Sequence, residues 1–299
     1  MPDGFLNLLK PPGMSSFLAV HLVRKLLPKG TKVGHMGTLD PAAAGVLPLG
    51  VGSATRLFDY VADKQKLYRA ELCLGAATDT QDATGCVLAQ APPPSLAAVE
   101  AALPAFQGCI WQSPPAYSAV HVDGKRAYEL ARAGKAPETL PKRQVQVDSI
   151  RLLGPSGENR CLLDIACGKG VYVRTLLDEI AKAAGGFGHM SLLVRLRSGV
   201  FSIENAVTPE ELRRQVASGE WPLLPMDLPI AHLPKVELPD SLRNQVKNGA
   251  PLRVGREACA QGPLRVYVGG RFAGIAQGLE GTLRFAAMLL KDDPDRQAP

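Results

Sequence analysis

The sequence lacks the features that mark secreted, membrane-spanning and disulfide-linked proteins. Its start, MPDGFLNLLKPPG, has no basic region followed by a long apolar stretch, so we expect no secretory signal. The uncharged run at 41–55 has 15 residues broken by Pro and Gly, short of the ~20 needed to cross a bilayer. The six cysteines form no CxxC pair and stand mostly in apolar, strand-like runs. We therefore expect reduced core thiols and a cytoplasmic protein without a membrane partner.

The usual cofactor and metal motifs are also missing. The sequence has no Walker A pattern, no HExxH and no EF-hand loop, and GVGSAT around Gly50 and Gly52 lacks the third glycine of a dinucleotide fingerprint. The five histidines are scattered without metal-ligand spacing. We therefore expect a function that needs neither a metal nor a cofactor.

The periodicity that is present predicts a folded chain of about two domains. Over 299 residues, SSFLAVHLVRKLLPKG and VYVRTLLDEIAKAAGG have helical spacing, and KLYRAELCLG alternates as a strand with Tyr68 on its mostly apolar face. Because strands and helices mix without regular βαβ alternation, we expect an α+β fold with a mixed, mainly antiparallel sheet. The proline-rich segment from Pro222 to Pro239 predicts a linker, which divides the chain into domains 1–234 and 235–299, the second small and β-rich.

The positive charge of the chain is concentrated in one segment. Of the formal net charge of +6, the stretch 121–143 supplies six Lys and Arg against three Asp and Glu, which is +3. A local excess of this kind favours a polyanionic partner. The alternative is a solvated basic helix face.

An isolated carboxylate, Asp40, stands among small residues in GHMGTLDPAAAG. Asp followed by Pro41 is a common helix start, so one interpretation is an N-cap with proline at the first helical position. A carboxylate near a helix N-terminus is stabilised in its ionised form, and Gly34, Gly37 and Gly45 would let a large ligand approach closely. These properties also suit a carboxylate nucleophile, so Asp40 is a candidate for both roles.

Five ordered blocks give the chain a specific resemblance to a known family. They are GFLNLLKPPGMSS, KLYRAELCLGAATDTQDATG, QSPPAYSAVHVDGKRAYELARAGK, CGKGVYVRTLLDEIA and LVRLRSGVF, and they accompany the motif GHMGTLDPAAAGVLPLGVGSATR around Asp40. Over roughly residues 4–203 the chain resembles the bacterial tRNA pseudouridine-55 synthase (TruB) family, and the C-terminal part is more weakly similar to the family's PUA-like RNA-binding domain. The resemblance implies the pseudouridine synthase fold.

The resemblance also implies an activity, which is cofactor-free isomerisation of uridine to pseudouridine at position 55 in the T-loop of tRNA. The glycosidic bond breaks, the uracil turns in a closed apolar pocket, and C5 joins the sugar. Asp40 matches the family nucleophile, but the sequence leaves open whether it attacks the base, attacks the sugar or deprotonates the sugar. The expected partner is the tRNA T-stem-loop, without an obligatory protein partner, and the expected state is a monomer.

The remaining site residues carry over from the family position by position. The resemblance makes Tyr68 the residue that stacks on the target base, Arg174 the partner of Asp40, Tyr172 and Leu193 pocket walls, and His35 the side chain that holds the flipped-out RNA loop. Without the family, Tyr68, Tyr172 and Leu193 would be core residues, Arg174 a surface helix arginine and His35 a loop hydrogen-bonder. The basic segment matches a thumb-like insertion at about 117–143, whose candidate phosphate contacts are Lys125, Arg126, Arg132 and Lys135.

Three other functions compete with this prediction. An RNA-binding or RNA-chaperone protein without activity would not need a lone carboxylate facing phosphate-rich RNA. An RNA-guided relative that works inside a ribonucleoprotein is disfavoured, because the chain has the basic segment but no long Lys-rich tail. A metal-free hydrolase with an Asp nucleophile lacks a residue to orient water.

Overall fold

The computed structural model of the chain describes residues 2–118, 120–122, 124–135, 140–250, 252–253, 262–279 and 281–290, and of residues 121, 122, 125, 126 and 132 only the backbone. The strands in these ranges are β1 (Gly4–Lys10), β2 (Val33–His35), β3 (Ala44–Val51), β4 (Lys66–Leu74), β5 (Ala76–Thr78), β6 (Val87–Gln90), β7 (Gly108–Gln112), β8 (His121–Val122), β9 (Lys125–Arg126), β10 (Arg143–Gly157), β11 (Arg160–Cys167), β12 (Gly188–Ser198), β13 (Phe201–Ser202), β14 (Lys235–Leu238), β15 (Leu252–Arg253), β16 (Pro263–Val268), β17 (Arg271–Leu279) and β18 (Thr282–Met288). The α-helices are α1 (Ser16–Leu26), α2 (Leu96–Ala102), α3 (Ala127–Arg132), α4 (Val173–Ala183), α5 (Pro209–Ala217) and α6 (Arg243–Lys247).

The main sheet follows the order β1-β3-β12-β4-β11-β10-β7, with β2 on β3 and β13 on β12. Its described pairs are antiparallel except for β3 and β12, which run parallel at Ala44 and Gly45. A second sheet, β14-β16-β17-β18-β15, lies in the C-terminal part. The predicted α+β fold with a mixed, mainly antiparallel sheet is confirmed. No helix of the described ranges combines the length and hydropathy that a bilayer-spanning helix needs.

The local patterns predicted most elements correctly. Ser15 caps α1 by accepting from the Leu18 backbone N–H, and β4 buries Tyr68, Ala70, Leu72 and Leu74 on one face. One position on α1 differs from the prediction. The helical spacing of SSFLAVHLVRKLLPKG places Phe17 with the apolar positions Val20, Val23 and Leu27. In the structure Phe17 is 72% exposed, because the core face of α1 is formed by Ser16, Ala19, Val20 and Val23.

The proline-rich segment predicted as a linker is packed against the sheet. Phe5 and Leu224 exchange two backbone hydrogen bonds of 3.0 and 2.7 Å, and Ile230 is fully buried. One apolar cluster contains Phe5 and Ile230 together with Ile275 of the second sheet. The second sheet begins at Lys235, where the sequence placed the boundary, but the two domains and the PUA-like assignment stay predictions.

The cysteines follow the predicted burial only in part. The described cysteines are free thiols, and burial raises the pKa of Cys161 to about 11 and that of Cys167 to about 12. Cys86 and Cys109 are exposed, so the prediction of core thiols is wrong for these two. Cys109 faces solvent because successive side chains of β7 point to opposite faces of the sheet. Cys259 lies outside the described residues.

Gly45 has a steric constraint that can be tested. Its φ is +112°, and a Cβ there would lie 2.3 Å from the Arg195 carbonyl oxygen, whereas Gly30 has φ +90° with nothing within 4 Å. We expect Gly45→Ala to lower the free energy of unfolding by about 3 kcal/mol or more, since strain and backbone overlap add. Gly30→Ala should lower the free energy of unfolding by only about 1–2 kcal/mol, which is the cost of a left-handed backbone at a residue with a Cβ. Equal losses in urea unfolding would contradict the close packing of β3 on β12.

Candidate active site

The predicted site residues surround one cleft. The cleft has a volume of about 1260 Å³, and its lining includes His35, Asp40, Tyr68, Tyr172, Arg174 and Leu193. These residues come from β2, the loop before β3, β4, the start of α4 and β12, so the sheet order brings together segments far apart in sequence. The structure thus places all six in one site, while their roles stay predictions.

The Asp40 loop is not the start of a helix. The chain makes a turn in which the Ala43 N–H donates to the Asp40 carbonyl at 3.1 Å, and β3 follows directly from Ala44. The N-cap interpretation of Asp40 is therefore wrong: the positive φ of Gly45 and its parallel pairing with β12 commit this segment to a strand. The Asp40 carboxylate is left free for other partners.

Two of the nearby glycines allow packing within the protein and not the predicted approach of a large ligand. A Cβ on Gly34 would lie 3.2 Å from the Phe58 ring, and Gly45 packs on the Arg195 backbone. Gly37, with φ +138°, would meet only the end of the Lys66 side chain at 3.9 Å. At Gly34 and Gly45 the close neighbour is therefore another part of the protein, and not the ligand that was expected from the sequence.

Arg174 holds the Asp40 carboxylate. Its Nε donates to Asp40 Oδ2 at 2.9 Å, its Nη1 and Nη2 donate to the carbonyls of Thr80 and Tyr117 at 3.0 Å each, and Asp82 Oδ2 lies 3.7 Å away. Arg174 is 5% exposed, so the alternative of a surface arginine is wrong, whereas the Asp40 side chain is 36% exposed. A buried cation therefore orients a carboxylate that remains open to the cleft.

The N-terminus of α4 lacks the usual side-chain cap and carries the cation Arg174 in its first turn. Tyr172 is the N-cap residue, but its side chain makes no capping hydrogen bond. Instead Gln112 accepts from the Tyr172 N–H at 2.8 Å and donates to the Tyr172 carbonyl at 3.1 Å. A cation near a helix N-terminus is unfavourable for the helix dipole, so the position of Arg174 fits a site requirement better than helix stability.

Arg195, which the sequence did not single out, braces the Asp40 loop from beneath. Its side chain is fully buried and donates to the carbonyls of Val46 at 2.6 Å, Thr38 at 3.3 Å and Gly37 at 3.3 Å. One guanidinium thus binds the chain on both sides of Asp40. Its position at a buried alternation point of β12, where an apolar residue is normal, is a pattern that could have revealed it.

Lys10 and Ser16 hold the tip of the same loop. The fully buried Lys10 Nζ donates to the carbonyls of Met14 at 2.6 Å, Pro11 at 2.9 Å and Pro41 at 3.3 Å. Ser16 Oγ donates to the Leu39 carbonyl at 3.0 Å and accepts from its N–H at 2.9 Å. Burial lowers the pKa of Lys10 to about 8, with Asp40 opposing and Arg195 adding to the shift.

The aromatic walls of the cleft are fixed by arginines. Tyr68 is cross-strand partner of Arg195, and burial raises its pKa, so it is a neutral phenol at neutral pH. The Arg143 guanidinium lies 4.9 Å from the centre of the Tyr172 ring and donates to the Gly170 carbonyl at 2.6 Å. Sequence reasoning counted Arg143 only as part of the basic segment and missed this contact.

His35 and the basic segment lie beside the Asp40 loop and the cleft. His35 is half-buried and its Nδ1 accepts from the Gly37 N–H at 3.4 Å; burial and then the charge of Arg195 lower its pKa, so it is neutral at pH 7. Within the range 117–143, Tyr117, Ser118 and Tyr128 line the cleft. Lys135 is exposed, while the side chains of Lys125, Arg126 and Arg132 lie outside the described residues.

The comparisons with known proteins identify the fold and the family. A solved structure titled "Crystal Structure of a Cbf5-Nop10-Gar1 Complex" matches 96% of this chain and 84% of its own, with a TM-score of 0.67 and 27% identity. The fold is that of the pseudouridine synthases. The sequence model described as "TruB family pseudouridylate synthase (N terminal domain)" matches residues 24–173.

Curated relatives extend the match along the chain. A protein named tRNA pseudouridine synthase B from Moorella thermoacetica is 44% identical over 259 residues, which is 85% of this chain and 84% of the relative. The protein of the same name from Symbiobacterium thermophilum is 46% identical over 251 residues, 83% of this chain and 82% of the relative. The chain therefore belongs to the TruB family of pseudouridylate synthases, and it is an isomerase.

The brace made by Arg195 predicts a defect in the rate and not in RNA affinity. Arg195→Lys keeps the charge but cannot reach three carbonyls on both sides of Asp40, so we expect the saturating rate of pseudouridine formation to fall at least about tenfold. The Michaelis constant should change less than about threefold. A rate equal to wild type in single-turnover measurements would show that the brace is not needed for positioning Asp40.

The buried Lys10 predicts a pH dependence of stability. The folded chain loses the Lys10 proton near pH 8, whereas the unfolded chain keeps it until about 10.5, so the unfolded state binds more protons between these values. The stability of wild type relative to Lys10→Met should therefore rise with pH across this window, by up to about 1 kcal/mol per pH unit. Urea unfolding of both proteins from pH 7 to 10 tests this, and a flat or falling difference would contradict it.

Proposed function

We propose that this chain converts uridine to pseudouridine at position 55 in the T-loop of tRNA, with Asp40 as the nucleophile and without a cofactor. The observation that carries the proposal is the partly exposed Asp40 carboxylate at the wall of the cleft. The buried Arg174 binds it, with 2.9 Å between Arg174 Nε and Asp40 Oδ2. Support for tRNA as the substrate comes from the relatives named tRNA pseudouridine synthase B.

The proposed reaction balances without a redox partner. The bond between C1′ and N1 breaks, the uracil turns, and a bond between C1′ and C5 forms. The C5 hydrogen leaves as a proton to solvent and N1 gains a proton, so the formula of the nucleotide is unchanged and no electron is transferred to another molecule. The protein has to supply a nucleophile or base, a path for one proton, and a compartment that retains the detached base.

Asp40 is suited to the first requirement. Arg174 binds Oδ2, while Oδ1 makes no hydrogen bond with any residue that the structure describes, so one oxygen is available to the nucleotide. The three routes of attack on the base, attack on the sugar and deprotonation of the sugar all use that oxygen. The loop that carries Asp40 is held by Arg195, Lys10 and Ser16, which favours a fixed angle of approach.

Tyr68, Tyr172 and Leu193 suit the retention of the base. Tyr68 is 7% exposed and Leu193 is 7% exposed, so both present mainly a wall to the cleft. A flat uracil can stack on an aromatic face, and a neutral Tyr68 phenol can donate a hydrogen bond or relay a proton. We propose that these three side chains hold the uracil while it turns.

The RNA itself is proposed to bind across the cleft mouth. His35 would fill the space left by the extruded nucleotide and so offset part of the unstacking cost of a few kcal/mol. Lys125, Arg126, Arg132 and Lys135 of the thumb-like insertion at 117–143 would contact phosphates, which position RNA without reading its sequence. The residues 235–299 would act as a PUA-like RNA-binding domain of a cytoplasmic, monomeric enzyme.

An RNA-binding protein without activity remains the competing function. It does not account for a carboxylate held by a buried arginine inside the cleft, because such a charge repels phosphate. The solved structure cited above is a complex of Cbf5 with Nop10 and Gar1, and at 27% identity it supports the fold of this chain and not a protein partner. The curated relatives match most of their own length at higher identity, and they favour an enzyme that acts on tRNA directly.

The proposal predicts that Asp40→Asn folds, binds tRNA and has no activity. The amide keeps the shape of the side chain but is neither a nucleophile nor a base. The measurement is tritium release from a tRNA transcript that carries 5-tritiated uridine, since each conversion frees one C5 hydrogen. Residual turnover within tenfold of wild type would remove Asp40 from the proposed role.

Two controls make this measurement specific. Asp63→Asn changes another carboxylate of the cleft lining, one that accepts from the Gln65 N–H and not from Arg174, and it should retain activity. A transcript altered only at position 55 should release no tritium with the wild-type protein. Release from that transcript would contradict the proposed target site, and loss in Asp63→Asn would mean that the cleft needs both charges.

A further inference from the structure

The exposed side of α1 is unusually basic. Residues 4–39 contain five Lys and Arg but no Asp or Glu, although the whole chain has 28 acidic residues in 299. One of the five, Lys10, is buried in the site, and the other four are exposed: Arg24, Lys25, Lys29 and Lys32. None of the four forms an ion pair with a residue that the structure describes.

The helix arranges these charges in line with an exposed phenyl ring. At 100° per residue, the exposed residues Phe17, His21, Arg24 and Lys25 fall within an arc of about 100°, and the buried Ala19 and Val23 lie on the opposite side. From Phe17 to Lys25 the rise is about 12 Å, and Lys29 follows beyond the helix end. We call Phe17, His21, Arg24, Lys25 and Lys29 the α1 basic face.

The α1 basic face is continuous with the cleft. Phe17 lines the cleft although it is 72% exposed, and the preceding Ser16 is hydrogen-bonded to Leu39, the neighbour of Asp40. The first turn of α1 is therefore fixed beside the Asp40 loop. An exposed aromatic side chain followed by unpaired cations is the combination that binds unpaired bases and phosphates of nucleic acids.

We propose that the α1 basic face binds the RNA that occupies the cleft, with an unpaired base on Phe17 and backbone phosphates on Arg24, Lys25 and Lys29. This binding surface is separate from the thumb-like insertion, since it lies on a different element. The inference rests on the proposed function, because it requires an RNA in the cleft.

Helix stability alone does not account for the face. Cations in the last turn favour the helix dipole, which would explain Arg24 and Lys25 on a solvated helix. It would not explain the exposed Phe17, the further cations Lys29 and Lys32 beyond the helix, or the absence of any acidic neighbour in the 36 residues. An acidic protein surface would suit the cations but would not use a phenyl ring at the cleft.

The test compares tRNA binding as a function of salt for three variants. Arg24→Gln/Lys25→Gln should weaken tRNA binding about tenfold at about 0.1 M salt. The slope of log affinity against log salt should become less steep by roughly 1.5, because two phosphate contacts are lost. Phe17→Ala should weaken binding several-fold without changing the slope, since it removes stacking and no charge. The matched control is Arg213→Gln/Arg214→Gln, which removes two exposed cations from α5, a helix with Glu210 and Glu211.

The outcomes separate this inference from the proposed function. Wild-type affinity and slope in Arg24→Gln/Lys25→Gln would overturn it, and so would an equal loss in the α5 control, because net charge alone would then explain the effect. Tritium release at saturating tRNA is measured on the same preparations and should be unchanged in the control Arg213→Gln/Arg214→Gln. If wild type releases no tritium, the proposed function fails, whereas the salt dependence of binding still decides whether the α1 basic face contacts RNA.

Discussion

The guanidinium of Arg174 is the interaction on which the site depends. It joins the loop of Asp40, the turn at Thr80 and Asp82, the segment at Tyr117 and the start of α4. A charge buried to this extent is costly unless its partners surround it, and removing one partner usually leaves a larger penalty than the pair contributes. The geometry around Asp40 is therefore maintained by the need of Arg174 for acceptors, and not by the Asp40 loop alone.

Positive charge is in excess beneath the cleft. Lys10 and Arg195 are fully buried, and burial lowers the pKa of Lys10 and of the half-exposed Lys66, with the charge of Arg195 adding to both shifts. The Lys10 ammonium and the Arg195 guanidinium donate mostly to backbone carbonyls. These acceptors satisfy the hydrogen bonds of both groups but do not cancel their charge. Such a wall favours anionic groups in the cleft.

Local patterns predicted most of the elements, since caps, alternation and turn residues act over a few positions, whereas the predicted site residues came from the family resemblance. The capped helix α1 and the strand β4 with an inward Tyr68 are examples. The N-cap interpretation of Asp40 was wrong because the conformation of this loop is set by contact with β12, about 150 positions later in the chain. Arg195 and Lys10 were missed for the same reason, as their partners are carbonyls brought near by sheet order, and carbonyls have no sequence signature.

The packing of β1 has a consequence for synthesis of the chain. Phe5 forms a bridge to Leu224 and lies in one apolar cluster with Ile275 and Leu289, which come much later in the chain. During synthesis β1 can pair with β3 once Val51 has been made, but Phe5 cannot complete its cluster until the segments at Leu224 and Ile275 have emerged. The face of β1 that carries Phe5 therefore stays exposed for most of synthesis, and exposed apolar surface of this kind favours aggregation.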